Sequence, residues 1–205
     1  MTKIEEGLKL DFHNVLIRPK RSTINSRSHV KLERTIKFKN CRSLKSWEGI
    51  PIIASNMDTV GTFEVYKTLS KFKIITALHK FYSVDDFLSF QSENNMVLNP
   101  DLFMVSTGIQ ESDFDRLKDI LSVTDCNWIC IDIANGYIQS LVQFCKRVRE
   151  AYPDKIIVAG NVVTREVVEE LILNGGVDVV KVGIGPGAIR IALSAGSSGK
   201  RRQHL

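Results

Sequence analysis

The chain has 205 residues, 43% hydrophobic and 25% charged, ordinary globular proportions that allow one sizeable buried core. Its net charge of +5 belongs to residues 188–205, where Arg190, Lys200, Arg201 and Arg202 meet no acidic residue and leave +1 for everything before them; that spread gives no footprint for nucleic acid, and a three-residue basic run is too short for a binding patch. No stretch nears the roughly 18 apolar residues of a membrane span, and the opening MTKIEEGLKLDF lacks the apolar core of a secretion signal, so a cytoplasmic protein with neither membrane nor nucleic acid as partner is expected.

In chain order, residues 8–16 and 34–38 read as short strands flanking the polar, basic stretch 18–31. Together they suggest an N-terminal β excursion over residues 1–50 that covers one end of the main fold. From Pro51 onward six β-branched, apolar runs stand out, at 51–55, 74–77, 102–106, 128–133, 156–159 and 177–182. They are nearly continuous in apolar side chains, as strands buried on both faces are. Their starts recur every 21 to 28 residues, the period of a βα unit. The segments between read as helices: 62–72 after a turn at Gly61, 113–121 with Ser112 as N-cap, and 164–173 ending at Asn174-Gly175-Gly176. Strict βα alternation implies a barrel or an open doubly wound sheet, and spacing alone does not choose between them.

The cysteines predict no disulfide framework. Cys126 and Cys130 fall on one predicted strand, where four residues span roughly 13 Å, beyond the roughly 7 Å Cα separation that a bridge allows. With Cys41 in an early polar stretch and Cys145 on a helical pattern, all four are expected to be reduced and mostly buried.

In parallel α/β folds ligands gather where strands end. Six endings here are small or polar: Ser55-Asn56-Met57-Asp58, His79-Lys80, Ser106-Thr107-Gly108, Asp132-Ile133-Ala134-Asn135-Gly136, Ala159-Gly160-Asn161 and Gly183-Ile184-Gly185-Pro186-Gly187. Any one of them is ordinary turn chemistry; six on one face make a pocket. His79 beside Lys80 taken alone fits a core histidine next to a solvated lysine. Asp132 is less ordinary, because a carboxylate ending an apolar strand is costly without a partner. The glycine run from Gly183 offers closely approachable backbone, suited to phosphate contacts, to carbonyls around a cation, or simply to chain reversal. It is not the GxGxxG dinucleotide fingerprint.

The segments LKLDFHNVLIRPKRSTINSRS, PIIASNMDTVGTFE, TALHKFY, DIANGY, AGNVVT and KVGIGPG, in this order, resemble the GMP reductase family over residues 8–187. IMP dehydrogenase, the nearest relative, shares the barrel and the glycine loop but usually carries a regulatory insertion between the second helix and third strand, where this chain has only a short segment. The resemblance implies an α/β fold of the (β/α)8 TIM barrel family, incomplete here, with about six βα units over residues 51–187 after the β excursion. It implies NADPH-dependent reduction and deamination of GMP to IMP and ammonia, usually by a homotetramer. Carried over by motif, Ser26, Arg27, Lys80, Asp132, Ile133, Ala134, Ile184 and Gly185 would lie at the NADPH site. Arg27 and Lys80 suit its anionic groups. Carbonyls of Gly185 and Gly187 would help hold a monovalent cation, K+.

After GPG the family continues with a serine, a variable residue and a cysteine, whereas this chain reads Ala188-Ile189-Arg190. The family's reaction needs a thiolate to attack C2 of the purine, expel ammonia and hold the covalent intermediate that takes the hydride. Arg190 stands in the cysteine's place and cannot do this, so no catalytic residue is assigned. Residues 188–205 are expected to be a divergent, disordered tail, and two βα units that bind the nucleotide phosphate are expected to be missing. Three readings stay open: a GMP reductase-type chain, itself inactive; a noncatalytic form that associates with full-length subunits; and an unrelated phosphate-binding protein, against which the ordered motifs speak.

Overall fold

The computed structural model describes Gly7, Leu10 and residues 14–183. An antiparallel hairpin comes first, β1 (Arg34–Lys37) against β2 (Ser46–Gly49). The six apolar runs then become β3 (Ile53–Ala54), β4 (Ile75–Leu78), β5 (Phe103–Thr107), β6 (Trp128–Asp132), β7 (Ile156–Val162) and β8 (Val179–Val182). Between them lie α1 (Phe63–Leu69), α2 (Val84–Glu93), α3 (Glu111–Val123), α4 (Gln139–Ala151) and α5 (Arg165–Leu173). The hairpin, the sheet and the helices belong to one compact unit. Residues 14–31 belong to a second, in which Ser26 caps a 3-10 turn, Arg27–His29, by accepting from the Ser28 amide at 3.3 Å.

The strand order settles what the spacing left open. All six strands are parallel and each pairs with its successor in the chain, β3 through β8. A doubly wound sheet reverses direction somewhere in its order; this one never does. Because parallel crossovers share one hand, every helix falls on the same face, and the sheet curls into an incomplete (β/α)8 barrel. On the helix-covered face the Phe103 ring meets Tyr66 of α1 and Phe87 of α2 at 6.0 and 6.3 Å. Strand alternation sends Met104, Ser106, Trp128, Cys130, Asp132 and Lys181 to the other face, the concave one.

The hairpin seals the N-terminal end of that concave face. Phe38 and Trp47 set their rings edge-on to Trp128, the first residue of β6, at 5.1 and 6.0 Å. The Trp47 indole donates to the Asp101 carbonyl (2.9 Å), the Arg42 amide to that of Pro153 (2.8 Å), and the Asn40 side chain to that of Val177 (2.8 Å). Lys45 donates to the Asn127 side chain. These acceptors sit just before β5, β7, β8 and β6 respectively, so one short hairpin ties together the starts of four strands.

Three expectations need correction. The described residues of 8–16, Leu10 and Asn14–Leu16, are not in a strand. The partner of β1 is β2, whose four residues carry too short an alternation to stand out. Helix α3 begins at Glu111 rather than after Ser112: its N-cap is Gln110, whose amide donates to the Asp113 carboxylate at 3.0 Å. Cys126 precedes β6 instead of lying on it. All four cysteines are nonetheless free and buried.

Below β8 a second lock operates. Arg149 of α4 donates to the carbonyls of Gly176 (3.0 Å), Pro153 (3.1 Å) and Lys155 (2.7 Å) and pairs with the fully buried Asp178. The same Asp178 oxygen accepts the Ile157 amide at 2.9 Å. Arg149→Met is expected to cost about 3–5 kcal/mol, because it strands a buried carboxylate. Arg165→Ala, which breaks an exposed pair with Glu169, should change little. Urea unfolding midpoints of the two variants test the contrast; equal midpoints would contradict it.

Candidate functional site

Parallel strands end on the same side, so the polar endings gather at the open, C-terminal end of the sheet. Asp132 is the last residue of β6 and Lys80 follows β4 by two residues, which places both at that end. Lys80 lines a shallow hollow of about 260 Å3 with Phe81 and with Ser112, Asp113 and Arg116 of α3. Its ammonium stands 5.9 Å from the centre of the exposed Phe81 ring. His79 is a structural residue: its ring stacks on Tyr82 at 3.9 Å and its Nδ1 accepts the Phe81 amide at 3.3 Å. Burial holds its pKa below the ordinary value, so it is neutral near pH 7.

Asp132 meets a partner that the sequence reading did not single out. Lys181 of β8 donates to Asp132 Oδ1 and, at 2.9 Å, to the side-chain oxygen of Asn56 in the loop after β3. The two charged side chains are 26% and 32% exposed, so solvent only partly screens the pair. Burial works against the charge on Lys181, but neighbouring Cys130 and Asp132 more than offset it and hold the ammonium above its ordinary range. The sequence holds one signal for it: Lys181 interrupts an apolar strand, as Asp132 ends one.

Backbone contacts hold the loop after Asp132. The Ile133 amide donates to the Gly160 carbonyl (3.0 Å) and the Asn161 amide to that of Ile133 (3.1 Å), while the Gly136 amide reaches the Asn161 carbonyl (3.0 Å). A Cβ on Gly136 would stand 2.3 Å from that same oxygen, so only glycine permits the approach. The Tyr137 hydroxyl accepts the amides of Val163 and Thr164, both at 3.0 Å, at the start of α5. Ala134 is presented on the surface between these fixed points.

Of the expected cofactor residues, Asp132, Ile133 and Ala134 thus form one fixed segment, with Lys80 at the same end of the sheet. Ser26 and Arg27 line a hollow of about 270 Å3 within their own unit, together with Ser22, Ile24, Asn25 and Val30. Ile184, Gly185, Gly187 and Arg190 lie outside the described residues. Among the described residues no group of three or more histidine, cysteine or acidic side chains is placed to hold a metal ion, and no helix is long and apolar enough to cross a membrane.

Residues 9–201 match the model of the IMP dehydrogenase / GMP reductase domain. The chain belongs to this family. The match runs past Gly187 into the segment where the motif resemblance stops. GMP reductases of Yersinia pestis (strain Pestoides F) and Citrobacter koseri are 55% identical over 189 residues, covering 91% of this chain and 53% of each relative. The chain therefore spans about half the length of these curated relatives. Inosine 5' monophosphate dehydrogenase from Legionella pneumophila superposes with a TM-score of 0.65 at 24% identity, over 82% of this chain and 49% of that one. This likeness confirms the barrel-type fold.

No described cysteine is a ready nucleophile. Burial pushes the thiols of Cys126 and Cys145 up to about 12 and raises that of Cys130 as well. The folded chain at pH 7.5 should react negligibly with a thiol-titrating disulfide reagent, and after unfolding it should show four reactive groups. The raised values also carry a sign: stability is full below the unfolded thiol value of 9.0 and falls as pH rises toward 12. Rapid labelling of the folded chain, or a flat melting temperature across that window, would contradict this account.

Proposed function

We propose that this is a GMP reductase-type oxidoreductase chain, built for NADPH-dependent reductive deamination of GMP to IMP and ammonia, and that as written it binds the dinucleotide without turning GMP over. The observation that carries the reading is 55% identity to enzymes named GMP reductase over 91% of this chain. The residues at the open end of the sheet fit the cofactor's chemistry. Lys80 offers a partly exposed cation beside an aromatic ring, suited to a phosphate next to a base. Asp132 keeps one carboxylate oxygen unbonded among the described residues, an acceptor for a ligand hydroxyl or amide.

When bound, NADPH would supply the hydride. Ile133 and Ala134 would shape the pocket wall beside Asp132, and Ser26, Arg27, Ile184 and Gly185 complete the proposed set. A K+ ion on the carbonyls of Gly185 and Gly187, and a homotetrameric assembly, belong to the same reading. The inactivity rests on Arg190, because a guanidinium cannot form the covalent bond to the purine that a thiolate forms. The same residue favours a second role, association with full-length subunits without catalysis.

NADPH fluorescence titration and chromatographic detection of IMP test both halves. Saturable NADPH binding is expected, weakened at least tenfold by Asp132→Asn or Lys80→Ala, since each removes a charged hydrogen-bonding group. Turnover is expected to lie orders of magnitude below the ordinary range of about 1 per second. IMP formation near that rate would overturn the role given to Arg190. A chain that binds no NADPH would overturn the dinucleotide assignment.

A further inference from the structure

The cofactor reading gives no role to Lys181. We propose that Lys181 is the positioning residue for Asp132: by bridging Asp132 to Asn56 it turns the carboxylate so that one oxygen is committed to the ammonium and the other is left for a donor on the bound dinucleotide. This rests on the assignment of Asp132 to that ligand.

The register makes the bridge possible. Asp132 lies level with Gly160 on the neighbouring strand, and Gly160 lies level with Lys181 on the next, so the two charged residues share one face and one height with a single strand between them. That middle position carries no side chain. A Cβ on Gly160 would stand 2.5 Å from the Lys181 carbonyl oxygen and 2.7 Å from Lys181 Cβ, so the gap that Lys181 spans is cleared by glycine. Asn56 supplies the second hold: its oxygen takes another of the ammonium's three protons, from the loop after the first strand of the sheet.

An ammonium held from two sides has little freedom to swing away, and neither does the carboxylate it grips. Without it, Asp132 would end its strand with no side-chain partner among the described residues, free to turn toward solvent. Near neutral pH Cys130, two residues earlier on the same face, offers no competing charge, because burial raises its thiol pKa; its charge acts on the ammonium only in the alkaline range where Lys181 itself titrates. Lys181 therefore acts on the ligand through Asp132.

A double-mutant cycle on NADPH affinity, read by fluorescence on the full chain, separates this role from others. Lys181→Met and Asp132→Asn should each weaken binding at least tenfold, the double variant should be no weaker than the poorer single within about twofold, and Lys181→Arg should recover most of the loss. A merely structural role for Lys181 would instead lower the melting temperature while leaving the affinity of the folded fraction unchanged. Single losses that multiply in the double variant, or Lys181→Met binding like the parent chain, would overturn the proposal. Should Lys181→Met not fold, Asn56→Ala keeps the test alive: it leaves both charges in place and should weaken binding several-fold, and unchanged binding by it overturns the proposal equally. Absence of NADPH binding by the parent chain would be a different failure, removing the dinucleotide reading and this inference with it.

Discussion

Because every strand from β3 to β8 lies beside the next one in the chain and runs the same way, the sheet has no choice but to curl. Crossovers of one hand stack the helices on one face, and the other face becomes a trough with two ends. One end receives the strand starts, the other the strand finishes and the loops that come after them. Each further feature answers a problem this arrangement creates: the hairpin fills the first end, and the polar endings surround the second.

The last described strand carries an unusual burden. Within the described sheet β8 pairs on one side only, with β7, and a strand so placed is a weak point. It is held by charge at both of its ends. Asp178, just before it, is gripped by Arg149 from the helix side, and Lys181, near its finish, reaches Asp132 and Asn56 across the trough. The lower pair is buried and hydrogen-bonded on several sides, as a structural lock must be. The upper pair is partly exposed and leaves one carboxylate oxygen unbonded among the described residues.

The features legible in the sequence divide from the rest along the same physical line. Buried parallel strands announce themselves because both faces are apolar, and all six were legible, as were the polar residues at their ends. The hairpin was half legible: Arg34–Lys37 is exposed throughout, while β2 buries only Trp47 and Gly49, two inward positions in four residues. The cap of α3 lies two residues before the position its sequence suggests, since Ser112 has the favoured side chain but Gln110 has the backbone position. Asp132 was suspect on desolvation grounds alone. Its partner was not legible, because Lys181 lies 49 residues away from Asp132 and 125 from Asn56, and only the strand register brings them level. A lysine in a strand reads by default as a solvated one.

The Tyr137 hydroxyl, seated on the Val163 and Thr164 amides, makes two consecutive loops of the barrel into one body. The loop after β6 and the turn that opens α5 cannot part without breaking two hydrogen bonds and the backbone ties of Ile133 and Gly136 to the Gly160-Asn161 segment. Any molecule seated against Ala134 therefore presses on a platform two βα units wide, whose give is set by helix α5 and not by a single flexible loop. Whatever sits at the mouth of this trough is met from that side by a surface already in shape, with little ordering left to be done when it arrives.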